Sequence, residues 1–121
     1  MRRDELYLRD IAEAADSVGR FLTAVSQDEF LANELLQSAV LQKLILIGEA
    51  AAKLSAEFKD RHPEVGWRDV VALRNIAVHA YFSVRWSLVW ATATEDVPEL
   101  KQQVARMLQA DFPDTLPQAG Q

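Results

Sequence analysis

The 121 residues are 50% hydrophobic and 26% charged, with four glycines, four prolines and no cysteine. This balance excludes disordered, collagen-like and loop-rich all-β chains, and it removes disulfides, thiolate metal sites and a cysteine nucleophile. The net charge of −5 has the wrong sign for a protein that simply coats nucleic acid, yet residues 59–90 carry +2 and the remainder −7.

Periodicity assigns the elements in chain order. Leu8, Ile11, Ala15, Val18, Leu22 and Val25 recur at spacings of three and four, which predicts one amphipathic helix over 4–25. Ser26 precedes Glu29 by three residues, a capping-box pattern that opens a short helical connector. Leu36, Val40, Leu44, Ile47, Ala51, Leu54 and Phe58 form the stripe of a second long helix, from about 33 to just before Pro63. Gly48 costs that helix roughly 1 kcal/mol in its interior, so it marks close approach of a neighbour. A third helix is expected over 67–80 and a fourth over 84–94. A last one runs to about 108, with Pro98 in its first turn or as a kink continuing the fourth. Short connections between the principal helices make an all-α, up-and-down bundle over residues 1–110, followed by a flexible tail at 111–121. MRRDELYLRD puts charges where a signal peptide needs an apolar stretch, and no run is read as approaching a membrane span of ~20 residues. A soluble, cytoplasmic protein is expected.

The chemistry concentrates in VVALRNIAVHAYF at 70–82, where only Arg74, Asn75, His79 and Tyr81 interrupt an apolar run. Such a helix is expected to be enclosed by neighbours, and a guanidinium there needs a structural partner or an anion. At about 100° per residue, Asn75 and His79 share a face and Arg74 and Tyr81 nearly eclipse. Arg74 and His79 stand about 140° apart on the same reckoning, awkward for one site unless a second subunit contributes. A histidine with pKa near ~6.5 moves protons at neutral pH, and an arginine forks onto phosphoryl oxygens. Metal ligation has no constellation here, because cysteine is absent and the histidines, His62 and His79, lie 17 positions apart.

Arg-x4-His-x-Tyr with a polar Asn after the Arg, as in RNIAVHAY, resembles the signature of the HEPN superfamily, in its HepT-like toxin branch. IGEAA at 47–51, HPEVGW at 62–67 and the WxxxxEDVPEL pattern at 90–100 extend the similarity over about residues 4–108. The resemblance implies a helical homodimer whose composite cleft cleaves RNA without a metal or other cofactor, the ribose 2′-hydroxyl attacking the adjacent phosphorus. It maps the catalytic pair onto Arg74 and His79 and the supporting polar residue onto Asn75. It maps a modifiable tyrosine onto Tyr81. The partner it implies is a minimal nucleotidyltransferase antitoxin that transfers AMP onto Tyr81 and silences the toxin.

Other readings stand beside this one. Glu49 sits in an apolar run and is a candidate to pair with an arginine, with a supporting role in the site. His62, before Pro63, reads as structural or as an exposed basic group. Trp67, Trp86 and Trp90 read as core, dimer or partner surface. The rival functions are a noncatalytic subunit that docks a nucleotidyltransferase and helps bind its nucleotide, and a structural bundle with Arg74 and His79 as a buried polar network.

Overall fold

A computed structural model describes residues 2–76 and 85–113, and every regular element among them is helical. Helix α1 (Arg2–Phe21) buries Leu8, Ile11, Ala15 and Val18 as its stripe requires. It stops four residues short of the expected end because the chain reverses through Ala24, which takes a left-handed φ of 59°. Leu22 and Val25 still pack against the core from this turn. The capping box forms as read: the Ser26 hydroxyl accepts from Glu29 N at 3.1 Å, and Glu29 Oε1 accepts from Ser26 N at 3.0 Å. It opens α2 (Gln27–Leu31), which buries Phe30 against the rings of Trp86 and Trp90.

Asn33 caps α3 (Glu34–Lys53), its side chain accepting from Leu36 N at 3.0 Å. Gln37, buried, donates to the carbonyls of Phe30 and Leu31 and so ties α3 to the end of α2. Contrary to the expectation that no run approaches a span, α3 has the length and apolar content to cross a bilayer. Here it is the helix on which α1, α5 and the turn after α5 pack, with Val40, Leu44, Ile47 and Ala51 fully buried. The first three of these side chains each contribute about 1.5–3 kcal/mol when fully buried.

The single helix expected up to Pro63 is two helices. The chain turns extended at Leu54 (ψ 144°) and restarts as α4 (Ala56–Arg61), capped by the Ser55 hydroxyl. The cause lies 51 residues away: the buried Asp4 carboxylate accepts from both Ser55 N and Ser55 Oγ, each at 2.8 Å. Continuing the helix would give up both bonds. Leu54 and Phe58 stay buried on either side of the break, so the apolar stripe survives it.

Helix α5 (Trp67–Ala72) tightens into a 3₁₀ turn at Leu73–Asn75. After the undescribed stretch, α6 (Trp86–Ala91) runs without interruption through a π turn, Thr92–Asp96, into α7 (Val97–Asp111). The kinked continuation is therefore the form adopted, with Pro98 in the first turn of α7. Val97, Leu100, Val104, Met107 and Leu108 bury against α1, and Lys101 bonds Asp16 across that interface at 3.0 Å. The hydrogen bond from Lys101, and after it that from Arg20, holds the Asp16 carboxyl below its usual range. Helix α7 extends to Asp111, and Phe112 stacks near Phe58. Most of the expected tail, residues 114–121, lies outside the described residues.

Candidate active site

The site grows from the contact that Gly48 permits. A Cβ built at Gly48 would overlap the backbone nitrogen of Arg74 and stand 2.9 Å from the carbonyl carbon of Leu73. Helix α3 and the 3₁₀ turn therefore meet backbone to backbone, as expected of a glycine in a helix interior. This contact fixes where Arg74 leaves the main chain. Its side chain and that of Asn75 are exposed, and no ion pair engages Arg74 among the described residues. His79 and Tyr81 lie outside the described residues.

Two expectations about this segment change. Among its described residues the motif segment is not fully enclosed: Ala72 is exposed with Arg74 and Asn75, while Val70, Val71, Leu73 and Ile76 are only half-buried. The apolar run predicts neighbours over most of its surface, whereas the packing of its described part is on α3. The angular reckoning also fails at Arg74, because a 3₁₀ turn advances about 120° per residue rather than 100°. Offsets computed for a continuous α-helix do not carry through Leu73–Asn75.

Glu49 is exposed on the other side of α3, in a groove shared with Tyr7, Asp10 and Glu13 of α1 and with Lys43 and Lys53. No arginine pairs with it among the described residues. Lys53 lies over the Tyr7 ring, 5.9 Å from its centroid. His62 takes the structural role. Its Nε2 meets Asp111 Oδ2 at 2.9 Å, its Nδ1 meets Glu64 Oε2 at 3.3 Å, and its ring packs 4.6 Å from that of Phe58. The Glu64 carboxyl is held below its usual range first by its own backbone N–H, with a smaller contribution from His62. Trp67 is buried, its indole N–H donating to the His62 carbonyl at 2.9 Å, and Trp86 and Trp90 pack on Phe30. Trp67 is thus a core residue, while Trp86 and Trp90 are half-buried and pack against the core.

A second concavity escaped the sequence reading. A groove of about 600 Å³ runs between α5 with its 3₁₀ turn and the α6–π–α7 rod. Residues from α5, the 3₁₀ turn, α6, the π turn and α7 converge on it, and only the half-exposed apolar side of the motif segment announces it. No group of three or more potential metal ligands occurs among the described residues.

The family model described as Ribonuclease HepT-like matches residues 11–107 of the chain. The chain belongs to the HepT-like ribonuclease family. It is accordingly an enzyme, an endoribonuclease, built on an all-α HEPN-like bundle. Among the relatives of this HepT-like chain, "Putative RNase MJ1380" of Methanocaldococcus jannaschii is 38% identical over 104 residues, 85% of the chain and 95% of the relative. "Probable ribonuclease HepT" of Thermococcus cleftensis is 40% identical over 95 residues, 78% of the chain and 86% of the relative. "Putative RNase TTE0752" of Caldanaerobacter subterraneus subsp. tengcongensis is 30% identical over 111 residues, 92% and 99% of the two chains. No solved structure matches the HepT-like chain.

Proposed function

We propose that this HepT-like ribonuclease is the toxin of a cytoplasmic toxin–antitoxin pair and cleaves RNA without a metal in a cleft shared by two copies. Arg74 holds and neutralises the scissile phosphate, and His79 transfers the proton as the 2′-hydroxyl attacks phosphorus and the 5′-oxygen leaves. Asn75 orients His79 or a phosphate oxygen, while Glu49 has a supporting part at most. The helical domain carries the activity, and Asp111 on His62 and Phe112 on Phe58 extend its packing two residues past 110.

The observation that carries this reading is Arg74 itself. A guanidinium that served only the core would be buried and paired; this one is exposed, free of ion pairs among the described residues, and anchored by an immovable backbone contact. That favours an anion-binding role over a buried structural network. The half-buried apolar residues around it suit a two-fold contact, which would duplicate the motif across one groove. Silencing follows from AMP transferred by a minimal nucleotidyltransferase onto the Tyr81 hydroxyl. The phosphodiester anion then competes for Arg74, and the nucleoside fills the cleft.

The test uses a defined RNA with the purified chain. Arg74→Ala and His79→Ala should each lower cleavage by about 10²–10⁴-fold with the helical circular dichroism unchanged. A chelator should leave the rate alone, and a 2′-deoxy substitution at the scissile position should block it. Full activity in either variant, or loss with chelator, overturns the assignment.

A further inference from the structure

Arg68, the second residue of α5, is exposed, and its guanidinium makes no ion pair or hydrogen bond among the described residues. Arg9, Arg20 and Arg61, by contrast, each meet a carboxylate. Local stability does not account for Arg68. The first turn of a helix is where the dipole disfavours a cation. Asp69, the adjacent acid, stands about 100° away around the helix and lines the groove toward α7.

Four residues of α-helix separate Arg68 from Ala72, and three of 3₁₀ turn separate Ala72 from Asn75; all three are exposed. At 100° and 120° per residue these steps come to about 400° and 360°, so the three share one face within about 40°. Rises of ~1.5 and ~2.0 Å per residue put Arg68 about 12 Å from Asn75 along the axis. Ala72, between them, presents only a methyl group, so an extended strand can lie against this face. We propose that Arg68 holds a second phosphate of the bound RNA. The strand then runs from the scissile phosphate, at Arg74 and Asn75, toward the start of α5. The inference rests on the ribonuclease reading and extends it by one subsite. At the ~3.4 Å per nucleotide of a stacked strand, 12 Å is at most about three or four nucleotides. Such a contact fixes register without reading bases. A net charge of −5 opposes RNA at long range, so cations must gather where the strand passes, and residues 59–90, at +2, are such a segment.

The test measures binding of a single-stranded oligonucleotide methylated at every 2′-hydroxyl, so that no cleavage intervenes. Cleavage of RNAs lengthened stepwise on either side of the scissile bond is measured beside it. Arg68→Ala should weaken binding about three- to tenfold, and the slope of log Kd against log salt should fall by about 0.7, the share of one phosphate on a single strand. In cleavage the loss should fall on KM rather than kcat, appear for lengthening on one side only, and stop growing beyond about four nucleotides. Arg68→Lys keeps the charge and should restore the salt slope. Arg20→Ala removes the same charge from the last turn of α1 and should change none of these quantities. Both side chains are exposed, and unchanged circular dichroism verifies that the variants fold. An unchanged salt slope in Arg68→Ala, an equal loss in Arg20→Ala, a loss confined to kcat, or a loss indifferent to RNA length overturns the proposal. The two readings fail separately. Cleavage that survives Arg74→Ala or His79→Ala refutes the mechanism, whereas an intact salt slope in Arg68→Ala refutes only the second phosphate contact.

Discussion

Gly48→Ala tests whether the α3 contact positions Arg74. In an ordinary helix interior this change stabilises by about 0.8–1.0 kcal/mol through helix propensity. Here the new methyl group meets backbone atoms of Leu73 and Arg74, which cannot rotate away as a side chain would. Restoring ordinary contact from 2.9 Å to 3.4 Å at the Leu73 carbonyl carbon already needs half an ångström, and the Arg74 nitrogen must retreat further. Overpacking of this kind costs about 1–3 kcal/mol, so the propensity gain is cancelled and a net loss of up to about 2 kcal/mol remains. For a chain of this size that lowers Tm by up to about 8 °C. A displacement of about 1 Å at a substrate-positioning group can cost about 10²-fold in rate, so RNA cleavage should fall well beyond the loss of folded protein. Gly19→Ala is the matched control: nothing lies within 4 Å of its built Cβ, and it sits inside α1. It should raise Tm and leave cleavage unchanged. Thermal denaturation and initial cleavage rates of both variants decide the matter. If Gly48→Ala is as stabilising as Gly19→Ala, or cleaves at the wild-type rate, the backbone contact does not position the site.

Asp4→Ala removes the acceptor of both Ser55 bonds, each charge-assisted, and should cost about 1.5–3 kcal/mol in urea unfolding; a change below about 0.5 kcal/mol would mean the α3–α4 break is set elsewhere. The Glu29 carboxyl is held below its ordinary 4.5 first by the Ser26 backbone N–H and then by the Ser26 hydroxyl. Its contribution is therefore full above pH 4.5 and lost as pH falls through the depressed folded value. Glu29→Gln should be less stable than wild type at neutral pH, with the gap closing in acid; a gap independent of pH contradicts the capping-box assignment. Tyr81→Phe should escape AMP addition by the cognate nucleotidyltransferase, read by intact mass, while keeping most of its cleavage activity. An adduct on that variant would place the modification elsewhere.

Much of the bundle was legible because it is written in local periodicity and caps. The α1 stripe, the Ser26–Glu29 box and the Asn33 start all depend on residues within a few turns of one another, and the close approach at Gly48, though made with Leu73 and Arg74, is marked by the interior glycine itself. What stayed hidden depends on distant partners or on backbone detail that apolar spacing does not encode. The stripe through Leu54 and Phe58 reads as one helix because both residues reach the core, while the break is imposed by Asp4 from the other end of the sequence. Only Ser55, three residues before Phe58 and free to cap, hinted at it. Of the site, Arg74 and Asn75 were found as exposed groups at a fixed backbone position. Over residues 70–76 the enclosure inferred from the apolar run is incomplete, because periodicity reports that a face seeks cover, not which segment supplies it. Glu49 was read from its apolar neighbours in sequence, but its own azimuth on α3 carries it to the α1 groove.

The π turn between α6 and α7 is the place where the rod absorbs a change in chain length. Val97 N donates to the carbonyl of Thr92, five residues back, so the rod holds one residue more than an α-helix would in that turn. In a regular α-helix one added residue rotates everything beyond it by about 100°. The widened turn takes up that rotation, and Val97, Leu100, Val104, Met107 and Leu108 keep their face on α1 while Lys101 keeps its reach to Asp16. Deleting one residue within 92–96 would let the ladder close as ordinary α-helix and leave the same face of α7 on the core it was patterned to meet.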